Sequence, residues 1–306
     1  MSTRPARISC ISLAEELTTA LSIDEKLYKA MELLDLAAYD KPDLMCLPEA
    51  FAQYFIPADR WRDIQETIDG RIITAIAQKA RQYNCYIICP ILLRDAGHIK
   101  NTAILLDRKG KPCGRYEKFM PTITEIELGV MPGDCCPVFD TDIGRIGIAI
   151  CFDLNFWEVG RALHENGVQI IVFASMYEGS FQLRQWAFEF QCYVASSVIG
   201  GTSTIINPLG QVVALTSRHH PLITSDINLN YCICHLNGHL EKLKRIKAIY
   251  GDTVQIEIIT SDAKCMITLN RPDLHIKEII LKFELEIFNH YLDRAKLVKA
   301  KALEGE

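Results

Sequence analysis

Gly147-Ile148-Ala149-Ile150-Cys151-Phe152-Asp153 decides how this chain is read. An apolar run opens after the turn Asp142-Ile143-Gly144 and ends on a cysteine, and a helical pattern follows from Trp157 to Asn166. The run predicts a buried strand, and Gly167 reads as the stop of the helix behind it. Most buried cysteines are inert packing. A cysteine at a strand-to-helix junction differs, because outward-pointing backbone N–H groups favour an anion there and can stabilise a thiolate.

Outward from this segment, apolar runs alternate with helical patterns. Ser22-Ile23-Asp24-Glu25 reads as a capping box, followed by Leu27, Met31, Leu34 and Ala38 at helical spacing. Leu44-Met45-Cys46-Leu47 predicts a short buried strand stopped by Pro48. A helix through Ile72, Ile73, Ile76 and Ala80 ends at Asn84, and Tyr86–Leu93 predicts a long strand. Thr102–Leu106 and Gly114–Tyr116 flank a turn and predict a hairpin, as do Ser203–Asn207 and Gln211–Leu215. Hairpins mixed with strand–helix alternation do not suit a purely parallel sheet, whereas two mixed sheets with helices outside accommodate both. Beyond Tyr231 the pattern predicts a charged helix over 238–249, strands over 253–259 and 265–269, and one long amphipathic helix from Lys277 to Ala302. With no linker, repeat or low-complexity segment, residues 1–306 read as a single domain with a C-terminal arm from about residue 274.

Composition excludes several classes. The chain has 306 residues, 49% hydrophobic and 23% charged, with net charge -5, so a basic nucleic-acid footprint is not expected. Lys242, Lys244, Arg245 and Lys247 read as a solvated helix face. No run is long enough to span a bilayer, and no secretory pattern opens the chain. Twelve cysteines in such a chain point to buried thiols in a reducing cytoplasm. The pairs Cys135-Cys136 and Cys232/Cys234 lack the spacing of zinc knuckles, so no metal is expected.

Two further segments carry chemistry. Glu49 follows Leu47-Pro48 at the end of the short strand, and Lys118 follows Tyr116-Glu117 at the end of the first hairpin. Alone, each reads as a solvated loop or strand-end charge. Together with Cys151, in this order and context, they resemble the Glu–Lys–Cys triad of the nitrilase superfamily. Met131-Pro132-Gly133-Asp134, Phe139-Asp140-Thr141, Gly201-Thr202-Ser203 and Ile206-Asn207-Pro208-Leu209-Gly210 resemble its flanking motifs, so the likeness covers roughly residues 7 to 300.

The resemblance implies an α/β fold, a four-layer αββα sandwich, and pairing into a homodimer or larger homo-oligomer, with the C-terminal arm in the contacts. It implies a hydrolase of non-peptide carbon–nitrogen bonds, an amidase acting on linear amides, with no cofactor, no nucleic acid and no membrane partner. An N-carbamoyl amidohydrolase or a nitrilase would use the same triad, and a non-catalytic scaffold is the contrasting class. Cys151 would form a thioester, Glu49 would shuttle the proton, and Lys118 with the backbone N–H of Phe152 would hold the oxyanion. A second glutamate of the family falls on Glu125, with Glu127 as the alternative. Asn155 stands where carboxylate-binding relatives place an arginine, which implies a preference for uncharged amides. Trp186-Ala187-Phe188-Glu189-Phe190 departs from the family's Arg-Ala-x-Glu-Asn pattern, which implies altered subunit packing or pocket lining.

Overall fold

Ser22 caps the first helix as its sequence predicts: its side chain accepts from the Glu25 N–H, and the Glu25 carboxylate takes the Ser22 N–H. Asn84 ends the third helix in the left-handed conformation, φ 51°, where its backbone N–H bonds back to the last turn. Such local signals set the boundaries of most elements in the computed structural model, which describes residues 4–13, 21–57 and 60–304.

The larger of two compact units spans Ala6–Ile227. Along the chain it contains β1 (Ala6–Ile11), α1 (Ile23–Ala38), β2 (Leu44–Cys46), α2 (Trp61–Ile64), α3 (Arg71–Tyr83), β3 (Tyr86–Asp95), β4 (His98–Leu106), β5 (Pro112–Glu117) and α4 (Ile123–Glu127). It continues with β6 (Val138–Thr141), β7 (Gly144–Ile150), a 3-10 turn at Cys151–Asn155, α5 (Trp157–Glu165), β8 (Ile170–Ser175), α6 (Ser180–Phe190), β9 (Tyr193–Val198), β10 (Thr204–Ile206), β11 (Val212–Leu215) and β12 (Leu222–Ile227).

These strands form two six-stranded mixed sheets, in the orders β12-β1-β2-β3-β4-β5 and β11-β10-β9-β8-β7-β6. Each sheet has the same grammar. Two parallel pairs at the centre (β1-β2-β3 and β7-β8-β9) are flanked by antiparallel neighbours. The central strands are buried on both faces, which explains why they read as continuous apolar runs. α1 and α3 bury Leu27, Ala30, Leu34, Ile72, Ile76 and Ala80 against the first sheet. α5 and α6 cover the second sheet and meet at Gly160, where an added Cβ would lie 2.2 Å from the Phe190 ring. Between the sheets, Ser197 accepts the Ile11 N–H and donates to the Cys46 carbonyl at 2.8 Å, satisfying polar groups that water cannot reach. The layers are therefore αββα.

The second unit begins at Asn228, and here the structure departs from the expectation of a single domain with an arm from about residue 274. β13 (Tyr231–His235), α7 (Leu240–Tyr250), β14 (Val254–Ile259), β15 (Lys264–Leu269), α8 (Ile276–Lys282) and α9 (Phe288–Glu304) build it around a three-stranded antiparallel sheet, β13-β15-β14. It has its own core, including Leu243, Ile246, Val254, Ile267, Ile279 and Phe283. The predicted long helix is two helices. The chain breaks between α8 and α9, where Glu284 adopts φ 49° and Ile287 bridges to Cys234. The break lets Phe283 and Leu285 turn into this core, so the apolar stripe seen in the sequence is largely consumed within the unit. The side chains of α9 remain outside the core. No helix among the described residues is long and apolar enough to cross a membrane.

Candidate active site

Glu49 leaves the end of β2 through Leu47-Pro48 and is 2% exposed. Proline cannot extend the ladder, so the chain turns and the carboxylate projects beyond the strand. Lys118 follows β5 directly, also 2% exposed, anchored by its N–H to the Asn101 carbonyl and by its own carbonyl to Gly133 N–H. The Lys118 Nζ lies 2.8 Å from Glu49 Oε1 and 2.8 Å from Glu125 Oε2. Glu125 is the buried member of the two glutamates weighed from the sequence, and Glu127 on the same short helix is exposed. The carboxylate of Glu125 also completes a capping box with Thr122, accepting its N–H at 2.7 Å. That Thr122-Ile123-Thr124-Glu125 signature was the sequence signal that could have separated the two candidates.

Cys151 follows β7 and adopts φ 48°, unusual for a residue with a Cβ. Strain of this kind persists only where surroundings enforce it. Asp153, fully buried, does so. Its carboxylate accepts from Ile150 N–H at 2.8 Å, Met120 N–H at 2.7 Å and Tyr116 Oη at 2.7 Å, tying the turn both to β7 and to the segment after Lys118. Burial pushes Asp153 up to about 6, against these three donors. Tyr177 Oη donates to the Cys151 carbonyl at 3.1 Å.

Glu49, Lys118, Glu125 and Cys151 line one cavity of about 160 Å³, together with Ala50, Gln53, Tyr54, Trp61, Leu92, Asn101, Thr122 and Met176. Its electrostatics follow from one ammonium facing two carboxylates. Burial opposes charge on Lys118, but Glu49 and Glu125 outweigh it and raise its pKa. Burial likewise opposes charge on Glu125, yet Lys118, the Thr122 N–H and Asn101 hold its carboxyl below the usual range. The Cys151 thiol is pushed up to about 12, first by burial and then by the charge of Glu49. Lys118, the Met176 N–H and the Ser175 hydroxyl pull in the opposite direction without prevailing. Burial and Glu49 thus oppose the thiolate that the strand end was expected to stabilise.

Two predicted positioning residues lie outside the cavity lining. Phe152 packs edge-on against Phe156, with ring centroids 5.2 Å apart. Asn155 is exposed, donating to the Phe152 carbonyl and to Tyr177 Oη and accepting from Gln182. Trp186 and Phe190 fill the interface of α5 and α6, with Phe190 stacked near Trp157. Asn101 was not anticipated, because the hairpin strand was predicted to start at Thr102 and β4 begins at His98. No group of three or more His, Cys, Asp or Glu suited to a metal occurs among the described residues.

The carbon-nitrogen hydrolase family model matches residues 7–233. This chain belongs to the carbon-nitrogen hydrolase family. The hydrolase is 26% identical over 247 residues to omega-amidase NIT2 of Xenopus tropicalis, covering 72% of this chain and 89% of that one. It is 29% identical over 231 residues to omega-amidase NIT2 of Homo sapiens, covering 66% and 82%. Among solved structures, an amidase from Nesterenkonia, a nitrilase-superfamily protein, shares the fold with a TM-score of 0.66 at 18% identity, over 80% of this chain and 97% of that one. The nitrilase-type αββα sandwich expected from the sequence is the fold of this carbon-nitrogen hydrolase.

Proposed function

We propose that this hydrolase converts a small, uncharged linear amide to its carboxylic acid and ammonia, with Cys151 as nucleophile. The observation that carries the reading is the convergence of Cys151, Glu49 and a doubly paired Lys118 on one small cavity. One lysine and two glutamates leave the cavity with one net negative charge. A free thiolate would double it, whereas a proton passed from Cys151 to Glu49 leaves it unchanged. The sulfur therefore attacks the amide carbon as its proton moves to Glu49. The carbonyl oxygen takes the displaced electron pair and is held by Lys118 and the Phe152 N–H. Collapse breaks the C–N bond, Glu49 returns the proton to the departing nitrogen, and ammonia leaves a thioester. A water, deprotonated by Glu49, attacks that thioester, the C–S bond breaks, and the thiol is regenerated. Glu125 fixes the orientation of Lys118. Asn155 acts through Tyr177, whose hydroxyl holds the Cys151 carbonyl.

The preference for an uncharged substrate rests on the lining. Among the described residues that form it, Lys118 is the one cation, and both of its carboxylate partners are already in place. Ala50, Leu92 and Met176 supply apolar wall. A carboxylate on the substrate would enter this space unpaired. The twelve cysteines are all free thiols, in keeping with a reducing cytoplasm. Leu292, Leu297, Val298 and Leu303 are exposed on α9 and suit homo-oligomer contacts.

An ammonia-release screen over short amides, N-carbamoyl compounds and nitriles, paired with intact-protein mass spectrometry, tests the reading. Ammonia from short neutral amides and an acyl adduct that disappears in Cys151→Ala are expected. Turnover confined to N-carbamoyl compounds or nitriles would overturn the amidase assignment.

A further inference from the structure

Asn101 lies on β4, 2% exposed, and both hydrogens of its side-chain amide are spent on the two glutamates of the site. Its Nδ2 lies 2.8 Å from Glu49 Oε1 and 2.8 Å from Glu125 Oε1. Lys118 Nζ bonds the same two carboxylates. The result is a closed ring of four hydrogen bonds, in which an ammonium and a neutral amide alternate with two carboxylates. The Asn101 backbone carbonyl also receives the Lys118 N–H at 2.8 Å, so one residue positions every other member of the ring.

The ring treats the two oxygens of Glu49 differently. Oε1 accepts from both Lys118 and Asn101, while Oε2 is buried without a hydrogen-bond partner among the described residues. The Asn101 Oδ1 is likewise buried and unpartnered. An orphan buried acceptor costs stability, so a side chain kept for packing alone would better be leucine, of nearly the same shape. What leucine lacks is the pair of neutral donors. A cation in the same place would cancel the net charge that keeps proton transfer between Cys151 and Glu49 balanced, and an anion would add to it.

We propose that Asn101 is a positioning residue that fixes the Glu49 carboxylate and occupies its Oε1, so that Oε2 is the oxygen that exchanges protons with Cys151 and the leaving nitrogen. The proposal rests on the reading of Glu49 as the proton shuttle. Among the described residues, the titratable groups that share the cavity with Glu49 are Tyr54, Lys118 beyond β5, Glu125 on α4 and Cys151 beyond β7, with Tyr177 beyond β8. Loss of the Asn101 donor removes one of two bonds to the ionised carboxylate and leaves those charges in place. A carboxylate with one donor fewer is more readily protonated.

The test compares Asn101→Leu, Asn101→Asp and Glu49→Gln in the full-length protein, with pH profiles of kcat and kcat/KM for a short neutral amide found by the screen. Asn101→Leu is expected to lower kcat by about 10- to 100-fold, with KM within about threefold. It also shifts the acidic limb of kcat/KM upward by about one pH unit. Asn101→Asp keeps the shape, replaces the donor with a third carboxylate and shifts the limb further. It serves as the reading if Asn101→Leu does not fold. An acidic limb unmoved in the folded variants, with Glu49→Gln inactive, overturns the role of Asn101 and leaves the triad standing. Near-normal turnover by Glu49→Gln overturns the shuttle itself, and with it this proposal.

Discussion

Replacing Glu49 with glutamine separates two effects that its carboxylate has on Cys151. In turnover it accepts the thiol proton, and at rest its charge opposes formation of the thiolate. Glutamine keeps the shape and removes both. Unit charges about 6 Å apart interact by about 2.8 kcal/mol at an effective dielectric of ~20, and about 1.36 kcal/mol is one pKa unit, so loss of the charge lowers the thiol by roughly two units. From a thiol at about 12, the thiolate fraction at pH 8 then rises roughly 100-fold. A less basic thiolate is a weaker nucleophile. With a Brønsted slope of about 0.45, two units cost about eightfold in intrinsic reactivity, leaving a net gain of roughly tenfold. Iodoacetamide labelling of Cys151 at pH 8, followed by peptide mass spectrometry, should therefore run about tenfold faster in Glu49→Gln than in the wild type, while amide turnover falls by at least about 1000-fold. In the wild type the labelling rate should climb steadily from pH 7 to pH 10 without a plateau. Slower labelling in Glu49→Gln, or a wild-type plateau near pH 7, would refute the picture of a protonated resting thiol.

Cys151→Ala should abolish turnover while leaving the melting temperature within a few degrees of wild type, since no other side chain in the cavity can form the thioester; turnover above a few percent would remove Cys151 from the role. Lys118→Ala leaves two buried carboxylates without their cation, at a cost of about 3–5 kcal/mol. Their folded-state pKa values then rise above the unfolded ones, so the deficit in urea unfolding should shrink from pH 7.5 to pH 5; a pH-independent deficit would contradict the charge assignment. A carboxylated amide should show kcat/KM about 100-fold below a neutral amide of equal length, and a preference for the carboxylated compound would place a cation in the pocket that the lining does not contain. Deleting residues 292–306, beyond the stacking of Phe288 and Tyr291 on His235, should weaken self-association in sedimentation with only a small change in melting temperature, because no residue of α9 is fully buried; unchanged sedimentation would remove α9 from the oligomer contacts.

Much of the fold was legible because the signals are local. The Ser22–Glu25 capping box, the stop at Asn84 and the apolar strands around Cys151 depend on neighbours in sequence, and the structure places each where the pattern does. Glu49, Lys118 and Cys151 were legible as strand-end positions. What escaped depends on distant partners. Asn101 reads as an ordinary strand residue until β4 places it over Glu49, 52 residues away in sequence. The upward push on the Cys151 thiol could not be read from the strand end alone, because burial and Glu49 oppose the nearby donors. The single helix predicted after Lys277 failed because helical periodicity continues across Phe283 and Leu285, whereas the core of the second unit needs both to turn inward.

The first sheet is begun by β1 and finished by β12, with Ala6 paired to Ile227 and Ile11 to Leu222. Seen from the ribosome, this is an order of assembly. The strands from β1 to β5 emerge early, yet the free edge of β1 waits for β12 while all of the second sheet is made. About a hundred residues separate the two events, which at roughly 5–20 residues per second is about 5 to 20 seconds of synthesis. During that interval a buried-type strand, Ala6–Ile11, presents an unpaired edge. A nascent chain halted before Leu222 is thus open at one margin, and the late arrival of a six-residue strand is what closes it.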